Sequence, residues 1–404
     1  MNNGDSIHYN LRHLTTDDLE QYNALLRYAF QVTEHDLIDT GWQDEEIKQS
    51  KFPVLERADV MGCFCENNLI SQVAVYPLEA NIYNEIYPVG FVTSVCTYPE
   101  YTGKGIMKQI MFQCLSHMRQ KKQSLAMLFP YSIPLYRNLG WEIISNKISY
   151  TIKDRQIPSN THAPGFVRRV EWDNEDFIHL HTRFAEITHG CLFRNSLAWE
   201  EYWRWDEDDT MVAVYNDITS VPMGYMVYLI KEDIMYIKEM IYLNKEAQDG
   251  LWKYIRAHDS MIDEARGNSY YNEPIAFELE DGDIREVIRP YIMGRIVDIR
   301  QFLERYNCAP NKEGTSFTFE ITDDFLPWNN TTLSVRFSHG KSMIIEEETP
   351  YHLKLSIATL TTLLLGYKTS TKLYRMGRIT ANAESIRLLD NALLHETPYI
   401  SDYI

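Results

Sequence analysis

The feature that most constrains this sequence is a β-rich run that leads through a glycine turn into an amphipathic helix. The run covers residues 89–97, and Pro99 prevents it from continuing as a central strand. Gly103 and Gly105 follow, and from Ile106 apolar residues recur at helical spacing on one face. A strand that enters a helix in this way leaves unpaired backbone N–H groups at the helix N-terminus, and these favour phosphate.

The spacing of the glycines narrows the choice of ligand. The sequence contains no GxxxxGK[ST] loop and lacks the three spaced glycines of a dinucleotide fingerprint, so ATP and NAD are disfavoured. Two glycines between a strand and a helix are also compatible with a simple tight turn. The segment alone therefore leaves a pyrophosphate cradle and a tight turn as open interpretations.

The elements predicted around this motif form a compact unit of mixed α and β structure. Residues 15–18 resemble a capping box, and a helix of about four turns follows. Asn67-Asn68 separates two alternating runs and predicts a hairpin turn. The expected order is a strand at 7–11, a helix to residue 29, strands at 59–66 and 69–78, the run at 89–97, a helix at 106–118, a strand at 125–129, a short helix ending at Gly140 and a last strand at 141–152.

A second unit begins at a linker rich in Pro, Asn and Thr, residues 157–164, and repeats the first in outline. Its predicted elements are helices at 174–185 and 196–206, strands at 211–215, 223–230 and 235–243, and a helix at 247–258. Residues 243–250, LNKEAQDG, replace the glycine turn of the first unit. We therefore expect an internal duplication in which only the first copy keeps the ligand site.

A third unit with a different pattern follows Pro290. Its predicted elements are a strand at 293–298, a helix at 300–306, strands at 316–322, 332–337 and 342–347, and helices at 357–365 and 384–394. The fold class is thus α+β (mixed α/β), with domain boundaries expected at 1–153, 154–289 and 290–404. A length of 404 residues agrees with several domains of about 150 residues each.

Composition limits the partners and the location. The formal net charge of −18 argues against nucleic acid and favours cationic partners, although acidity can also serve solubility alone. No apolar window is long enough for a membrane span, and the polar N-terminus has no signal-peptide pattern, so we expect a cytoplasmic protein. The six cysteines are scattered and predict neither disulfides nor a metal site.

In this order of elements the first unit resembles the GNAT acetyltransferase superfamily. The cofactor motif of that superfamily runs from a proline through an Arg or Gln three residues on to a glycine three further. Pro99 and Gly105 match this pattern, whereas Thr102 replaces the Arg or Gln and Met107 stands where a small residue is usual. Because the phosphate contacts of the family come mainly from backbone amides, these departures weaken the motif without removing it.

Over its whole length the chain is similar to the enhanced intracellular survival (Eis) type of GNAT protein. The segment 135–141, LYRNLGW, resembles the tyrosine-containing stretch of that family, and the chain end, 398–404, is also similar. The resemblance implies two tandem GNAT folds, the second degenerate, followed by a sterol-carrier-like α+β domain. It also implies acetyl-CoA as co-substrate and a homo-oligomer, a hexamer in that family.

The resemblance further implies a set of cofactor-binding residues. Val95, Cys96 and Thr97 would offer backbone groups to the pantetheine and the thioester. The pyrophosphate would lie against Gly103, Lys104, Gly105, Ile106, Met107 and Lys108, and Tyr131 and Ser132 would line the cofactor further on. The alternative for Val95 and Cys96 is a role in the strand core, and for Tyr131 and Ser132 a place in a simple loop.

Two catalytic groups follow from the chemistry and the resemblance together. Acetyl transfer to an amine needs a proton for the departing thiolate, and a phenol with a pKa near 10 suits a thiolate near 8.5. Tyr136 fits that role, the alternative being a packed aromatic. The family's proposed base is the α-carboxylate of the last residue, here Ile404, which with a pKa of about 3.5 is a poor base unless it is desolvated or acts through water. Its alternative is a frayed terminus.

The preferred hypothesis is an enzyme that acetylates a primary amine of a cationic small molecule or peptide, with an aminoglycoside-like or lysine-like acceptor. A second hypothesis is a non-catalytic protein that binds a lipid or apolar ligand through its C-terminal domain. A third is transfer of a longer acyl group, which needs a deep pocket beside Tyr136. The acidic clusters at 206–209 and 346–348 are expected to be solvated faces.

Overall fold

The structure is a computed structural model that describes residues 9–33, 35, 46, 49–159, 162–204, 206, 209–310, 312–347 and 349–404. Parts of the predicted first strand, the linker and the two acidic clusters lie outside these residues. Within them the chain forms three sheets, of eight, seven and four strands, with helices against each. The predicted mixture of α and β structure is confirmed.

The first part of the chain contains the capped helix, the meander and the helix after the glycine turn. Its elements are β1 (Tyr9–His13), α1 (Leu19–Phe30), α2 (Phe52–Arg57), β2 (Asp59–Cys65), β3 (Asn68–Ile82), β4 (Glu85–Thr97), α3 (Ile106–Gln120), β5 (Leu125–Leu128), α4 (Ile133–Arg137) and β6 (Glu142–Ile143). The capping box is present, with the backbone N–H of Thr15 donating to Asp18 at 2.9 Å. Cys65 pairs with Asn68, so the hairpin turn consists of Glu66 and Asn67, one residue before the predicted position.

The second part of the chain repeats this order in outline: helices precede a group of three strands, and another helix follows the group. Its elements are β7 (Asn146–Lys153), β8 (Phe166–Val170), α5 (Glu175–Ile187), β9 (Leu192–Phe193), α6 (Ser196–Trp203), β10 (Met211–Asn216), β11 (Pro222–Lys231), β12 (Ile234–Tyr242), α7 (Lys245–Arg256), β13 (Glu264–Ser269) and β14 (Arg285–Pro290). Short 3₁₀ turns occur at Thr16–Asp18, Pro99–Tyr101, Asp154–Gln156, Ile275–Glu278 and Pro327–Asn329.

The third part of the chain adds a small sheet covered by helices. Its elements are β15 (Met293–Ile296), α8 (Ile299–Leu303), β16 (Thr315–Thr322), β17 (Thr331–Ser338), β18 (Lys341–Ile345), β19 (His352–Ser356), α9 (Ile357–Leu364), α10 (Ser370–Arg375) and α11 (Ala383–Ala392). The sheet order is β18-β17-β16-β19, with β19 parallel to β16. Neither β19 nor α10 was predicted, because each is only five or six residues long.

The two larger sheets exchange strands. The first has the order β1-β2-β3-β4-β5-β15-β6, with β9 against β3, and the second has the order β14-β7-β13-β12-β11-β10-β8. The prediction of one strand at 141–152 is therefore wrong, since β6 stays in the first sheet and β7 pairs with β13 and β14 of the second. The crossing lies at the buried Ile144 and Ser145, whose backbone bonds to Ile292 and Tyr291.

This exchange bears on the domain boundaries. The boundaries at 153 and 289 stay predictions for the order along the chain. Strand β7, before residue 153, belongs to the second sheet, and strand β15, after residue 289, belongs to the first sheet. Each of the two larger sheets therefore includes a strand from beyond an expected boundary. Arg295 of β15 is fully buried, pairs with Asp323 at 2.6 Å and also donates to the carbonyl of Leu139. The third part of the chain is thereby fastened to the first sheet.

The last residues of the chain return to the two larger sheets. The hydroxyl of Tyr83 donates to the carbonyls of Leu394 and Glu396, and the N–H of Tyr399 donates to the carbonyl of His189 at 2.8 Å. Tyr399 and Ile400 are buried. Among the helices of the described ranges none is long and apolar enough to cross a membrane.

Candidate active site

Strand β4 bends at a β-bulge. Gln72 pairs with Cys96 and Ala74 with Thr93, so two residues of β4 oppose one of β3. Ser94, one of the two, has a left-handed φ of 54°, and its hydroxyl accepts a hydrogen bond from the buried Tyr22 at 3.0 Å. The hydrogen bond from Tyr22 therefore stabilises the bulge, which directs the end of β4 away from β5.

Beyond the bulge, β4 and β5 separate. The two strands pair in parallel only from residue 89 to 91 of β4, although β4 continues to residue 97. Val95, Cys96 and Thr97 lie in the part of β4 that does not pair with β5. Cys96 is buried there, and the other two residues are half-buried. An open strand edge presents backbone N–H and C=O groups in the pattern that an extended amide ligand can pair with.

The glycine turn lies next to this opening. Gly103 and Gly105 have φ of 75° and 76°, in the left-handed region that favours glycine, and a Cβ at either position would meet nothing within 4 Å. Helix α3 begins after Gly105 with no side-chain cap and no acid in its first turn, at Ile106, Met107 and Lys108. Lys104 lies over the ring of Tyr101 at 4.8 Å. The N-terminal N–H groups of α3 are therefore available to an anion.

The second unit fills the corresponding position with its own groups. Helix α7 begins after Asn244, whose side chain accepts from the N–H of Ala247 at 2.8 Å. Glu246 stands in the first turn and accepts a hydrogen bond from Tyr215 at 2.7 Å. At this end of α7 the side-chain cap occupies a backbone N–H group and the carboxylate repels anions, so this helix N-terminus does not suit a phosphate group.

Tyr136 lies in α4, close to the end of β4. Its side chain is 4% exposed and packs edge-on against Trp141 at 6.1 Å. Burial raises the pKa of Tyr136 to about 12, with a further contribution from nearby Cys96. Within the described residues the hydroxyl forms no hydrogen bond. Ser132 is the N-cap residue of α4, and Tyr131 is almost fully exposed.

The described residues enclose a cavity with a volume of about 840 Å³. Its wall is formed by α1 and β4 of the first unit, by α6, β7, β12, β13 and β14, and by the end of the chain. Ile404 lines it together with Thr93 and Ser94 at the bulge. The C-terminus and β4 thus line one cavity, whereas Tyr136 does not line it and packs in the core cluster that includes Val92 and Val95.

The C-terminus is held in place by a buried ion cluster. Arg194, with no exposed surface, pairs with Asp402 at 2.6 Å and with Glu239 at 2.7 Å, and also donates to Ser401. Burial opposes the charge of Arg194, but Asp402 and Glu239 keep its pKa above the ordinary value. Asp402 is buried and Ile404 packs against the core, so the chain end lies against the fold.

The charged groups of the cavity wall were not predicted. The bases among its described residues are Arg27, Lys51, Lys147, Arg204, Lys238 and Arg289, and the acids are Glu201, Asp206 and Glu239. Asp206 was expected on a solvated face, but it pairs with Lys238 in the wall. No local signal marks these residues, because they come from elements far apart in the sequence.

Three domain models match the chain. Residues 10–144 match one acetyltransferase (GNAT) domain model, residues 190–296 match a second, and residues 299–401 match a sterol carrier protein domain. The chain is therefore a protein of two GNAT domains followed by a sterol carrier protein domain, as the sequence predicted. No curated protein sequence matches it.

Solved structures share this fold over the whole chain. A conserved protein of Enterococcus faecalis V583, described as a probable N-acyltransferase, is 25% identical with a TM-score of 0.88, covering 98% of this chain and 100% of its own. A GCN5-related N-acetyltransferase of Anabaena variabilis ATCC 29413 is 21% identical with a TM-score of 0.86 over the same shares. Eis1 of Mycobacterium abscessus is 19% identical with a TM-score of 0.81, again over 98% and 100%. The fold is thus similar to the folds of these three proteins.

The buried ion cluster predicts how firmly the C-terminus is held. Asp402→Ala removes one partner of a buried guanidinium, and we expect the docking of the chain end to weaken by about 3 kcal/mol. Carboxypeptidase should then release Ile404 and Tyr403 faster than from the wild type. Tyr403→Phe, whose lost hydroxyl has no hydrogen bond among the described residues, should be as resistant as the wild type. Equal resistance of Asp402→Ala would show that Arg194 does not anchor the terminus.

Proposed function

We propose that the protein transfers an acetyl group from acetyl-CoA to a primary amine, using the first GNAT domain alone. The observation that carries the proposal is the pairing of an opened β4–β5 edge with the uncapped N-terminus of α3. Acetyl-CoA supplies an activated thioester, an extended pantetheine arm with two amides, and a pyrophosphate. The opened edge suits the amides, and the free N–H groups of α3 suit the pyrophosphate.

The same observations limit the site to one unit. In the second domain Asn244 caps the helix and Glu246 adds a negative charge, so a pyrophosphate would meet a filled and repelling position. Val95, Cys96 and Thr97 would hold the pantetheine, residues 103–108 the pyrophosphate, and Tyr131 and Ser132 the outer part of the cofactor. These assignments stay predictions.

Proton transfer in the proposed reaction involves two groups of this chain. The amine nitrogen must lose a proton as its bond to carbon forms, and the departing sulfur must gain one. The α-carboxylate of Ile404, which lines the same cavity as the bulge, would bind the amine and take its proton. Tyr136, kept protonated by burial, would supply the proton for sulfur.

The other hypotheses are less well supported. Tyr136 is packed against Trp141 and almost without exposed surface, which leaves little room for a long acyl chain. In the sterol carrier domain the side chains of Phe317, Phe319 and Phe337 are buried against one another, so the protein fills this space itself. The hexamer implied by the resemblance stays a prediction.

The net charge of the chain and the charges of the cavity wall lead to different expectations for the acceptor. The acidity of the whole chain led us to expect a cationic acceptor of the aminoglycoside or lysine type. The described wall of the cavity carries more bases than acids, so the net charge of the chain does not extend into the cavity. The acceptor in this proposal is therefore defined by its nucleophilic nitrogen alone.

Thiol release tests the two proton-transfer groups. With acetyl-CoA and a panel of primary amines, Tyr136→Phe should reduce kcat about a hundredfold, the usual contribution of a general acid. A chain lacking Ile404 moves the carboxylate by about 3.3 Å and should lose activity to a similar extent. Tyr374→Phe, in an exposed tyrosine of α10, is the control and should keep full activity. Absence of turnover in the wild type, together with absence of acetyl-CoA binding by calorimetry, would refute the enzyme.

Cofactor binding can be tested at a single glycine. Gly105→Ala introduces a Cβ at a left-handed φ, costs about 1 kcal/mol in local strain, and should weaken CoA binding about tenfold by displacing the α3 N-terminus. Gly377→Ala is the matched control, because Gly377 has a φ of 71° and equally open surroundings but lies in the sterol carrier domain. Calorimetry with CoA should show the loss only for Gly105→Ala. Equal affinities of the two variants would place the pyrophosphate elsewhere.

The pKa of Tyr136 predicts the alkaline side of the pH profile. Burial raises this pKa to about 12, so the neutral phenol is favoured in the folded protein and stays protonated throughout the ordinary assay range. At fixed total amine, kcat/KM should rise with pH as the amine deprotonates near its own pKa of about 10. No decline of kcat/KM is expected at any pH lower than about 11. A descending limb near pH 8 or 9 that Tyr136→Phe abolishes would contradict a strongly raised pKa.

A further inference from the structure

Two positive charges stand directly opposite each other in the wall of the large cavity. Lys147 of β7 and Arg289 of β14 are paired residues of an antiparallel ladder, and both line the cavity. Like charges directly opposite on neighbouring strands destabilise a sheet. Burial lowers the pKa of Lys147, and the positive charge of Arg289 lowers it further. The sheet alone gives no reason for this arrangement.

No carboxylate of the described residues neutralises this pair. Neither Lys147 nor Arg289 forms an ion pair with any described side chain. Their cavity-facing neighbours, Ser149 and Asn268, are uncharged and bond to each other at 2.9 Å. The remaining close group is the ring of Tyr291, whose centroid is 5.8 Å from the Lys147 ammonium. Among the described residues, the two charges therefore face the cavity without an acidic counter-ion.

The acids of the wall are already committed elsewhere. Glu201 binds Lys51 at 2.9 Å and Arg204 at 3.0 Å. The other two side-chain acids, Asp206 and Glu239, pair with Lys238 and Arg194. In the described wall the one negative charge without a basic partner is the carboxylate of Ile404.

The basic pair and the chain end belong to one continuous part of the wall. The ring of Tyr291, next to Lys147, contacts Phe129 at 5.6 Å, and Phe129 contacts Tyr403 at 5.1 Å. The Tyr291 hydroxyl also donates to the carbonyl of Asp402 at 3.1 Å. A small molecule in this cavity can therefore reach the terminal carboxylate with one end and the two basic side chains with the other.

We infer that the acceptor is a primary amine that also carries an anionic group, a carboxylate or a phosphate, which Lys147 and Arg289 bind while the amine lies at the C-terminus. This inference rests on the proposed function. It replaces the cationic acceptor expected from the net charge of the chain, because a second ammonium would meet two positive charges that no described acid neutralises. Arginine and lysine both form charge-assisted hydrogen bonds with carboxylate and phosphate oxygens.

The test uses amines that differ only at their far end. Linear primary amines of one chain length would carry a carboxylate, a phosphate, a neutral amide or a second ammonium, and thiol release from acetyl-CoA would give kcat/KM for each. We expect the wild type to prefer an anionic amine over the amide by about tenfold to a hundredfold, the range of one or two charge-assisted hydrogen bonds. The diamine should be the poorest substrate. The better of the carboxylate and phosphate amines identifies the group.

Variants of the two basic residues make the test specific. Lys147→Met and Arg289→Met should each remove most of the anionic preference, mainly through KM, while turnover of the neutral amide stays near the wild-type value. Lys153→Met and Arg285→Met are the matched controls, because they remove exposed charges from the same two strands outside the cavity. A wild type that prefers the diamine, or an anionic preference that both cavity variants keep, would overturn the inference.

A binding measurement separates this inference from the proposed function. Calorimetry with the N-acetylated carboxylate compound needs no turnover, and the wild type should bind it at least about tenfold more tightly than Lys147→Met does. Such binding without any thiol release would leave the anion site standing and refute the acetyl transfer. Thiol release with the neutral amine, without this binding difference, would support the transferase and refute the anion site.

Discussion

The buried guanidinium of Arg194 is the interaction on which the geometry of the cavity depends. It joins Glu239, in the second sheet, to Asp402, two residues before the end of the chain. Taking three charges out of water is costly, and such a cluster is maintained only when every partner is present and well placed. Here its effect is positional, since it holds the chain at Asp402, two residues before Ile404, which lines the same cavity as the bulge of β4.

The two GNAT domains use the same architecture in different ways. In the first, glycines at left-handed φ leave the N-terminus of α3 open. In the second, the side chain of Asn244 caps the corresponding helix and Tyr215 bonds to the acid that follows. The second sheet nevertheless contributes part of the cavity wall through β7, β12, β13 and β14. In the proposed reaction this sheet would hold the acceptor, and the first domain would hold the cofactor.

The exchange of strands explains why the two domains form one unit. Each of the larger sheets contains a segment from beyond the expected boundary, β7 in the second and β15 in the first. The sequence offers no local sign of this, because residues 141–152 have strand-like composition throughout and the break at Ile144 and Ser145 depends on pairing with Tyr291 and Ile292. The positively charged pair Lys147 and Arg289 exists only as a consequence of the same pairing.

The sequence by itself determined what depends on neighbours along the chain. Helical periodicity predicted α3, the glycines and Pro99 predicted the turn before it, and the similarity of the segments around Tyr136 and Ile404 to a known family predicted the domain order. Tertiary structure alone decided which strands share a sheet, that Ile404 lines the cavity while Tyr136 does not, and which charges face the cavity. The physical reason is that the exchanged strand pairs, such as Lys147 with Arg289, and the Arg194–Asp402 ion pair join residues more than a hundred positions apart, and no local propensity encodes such partners.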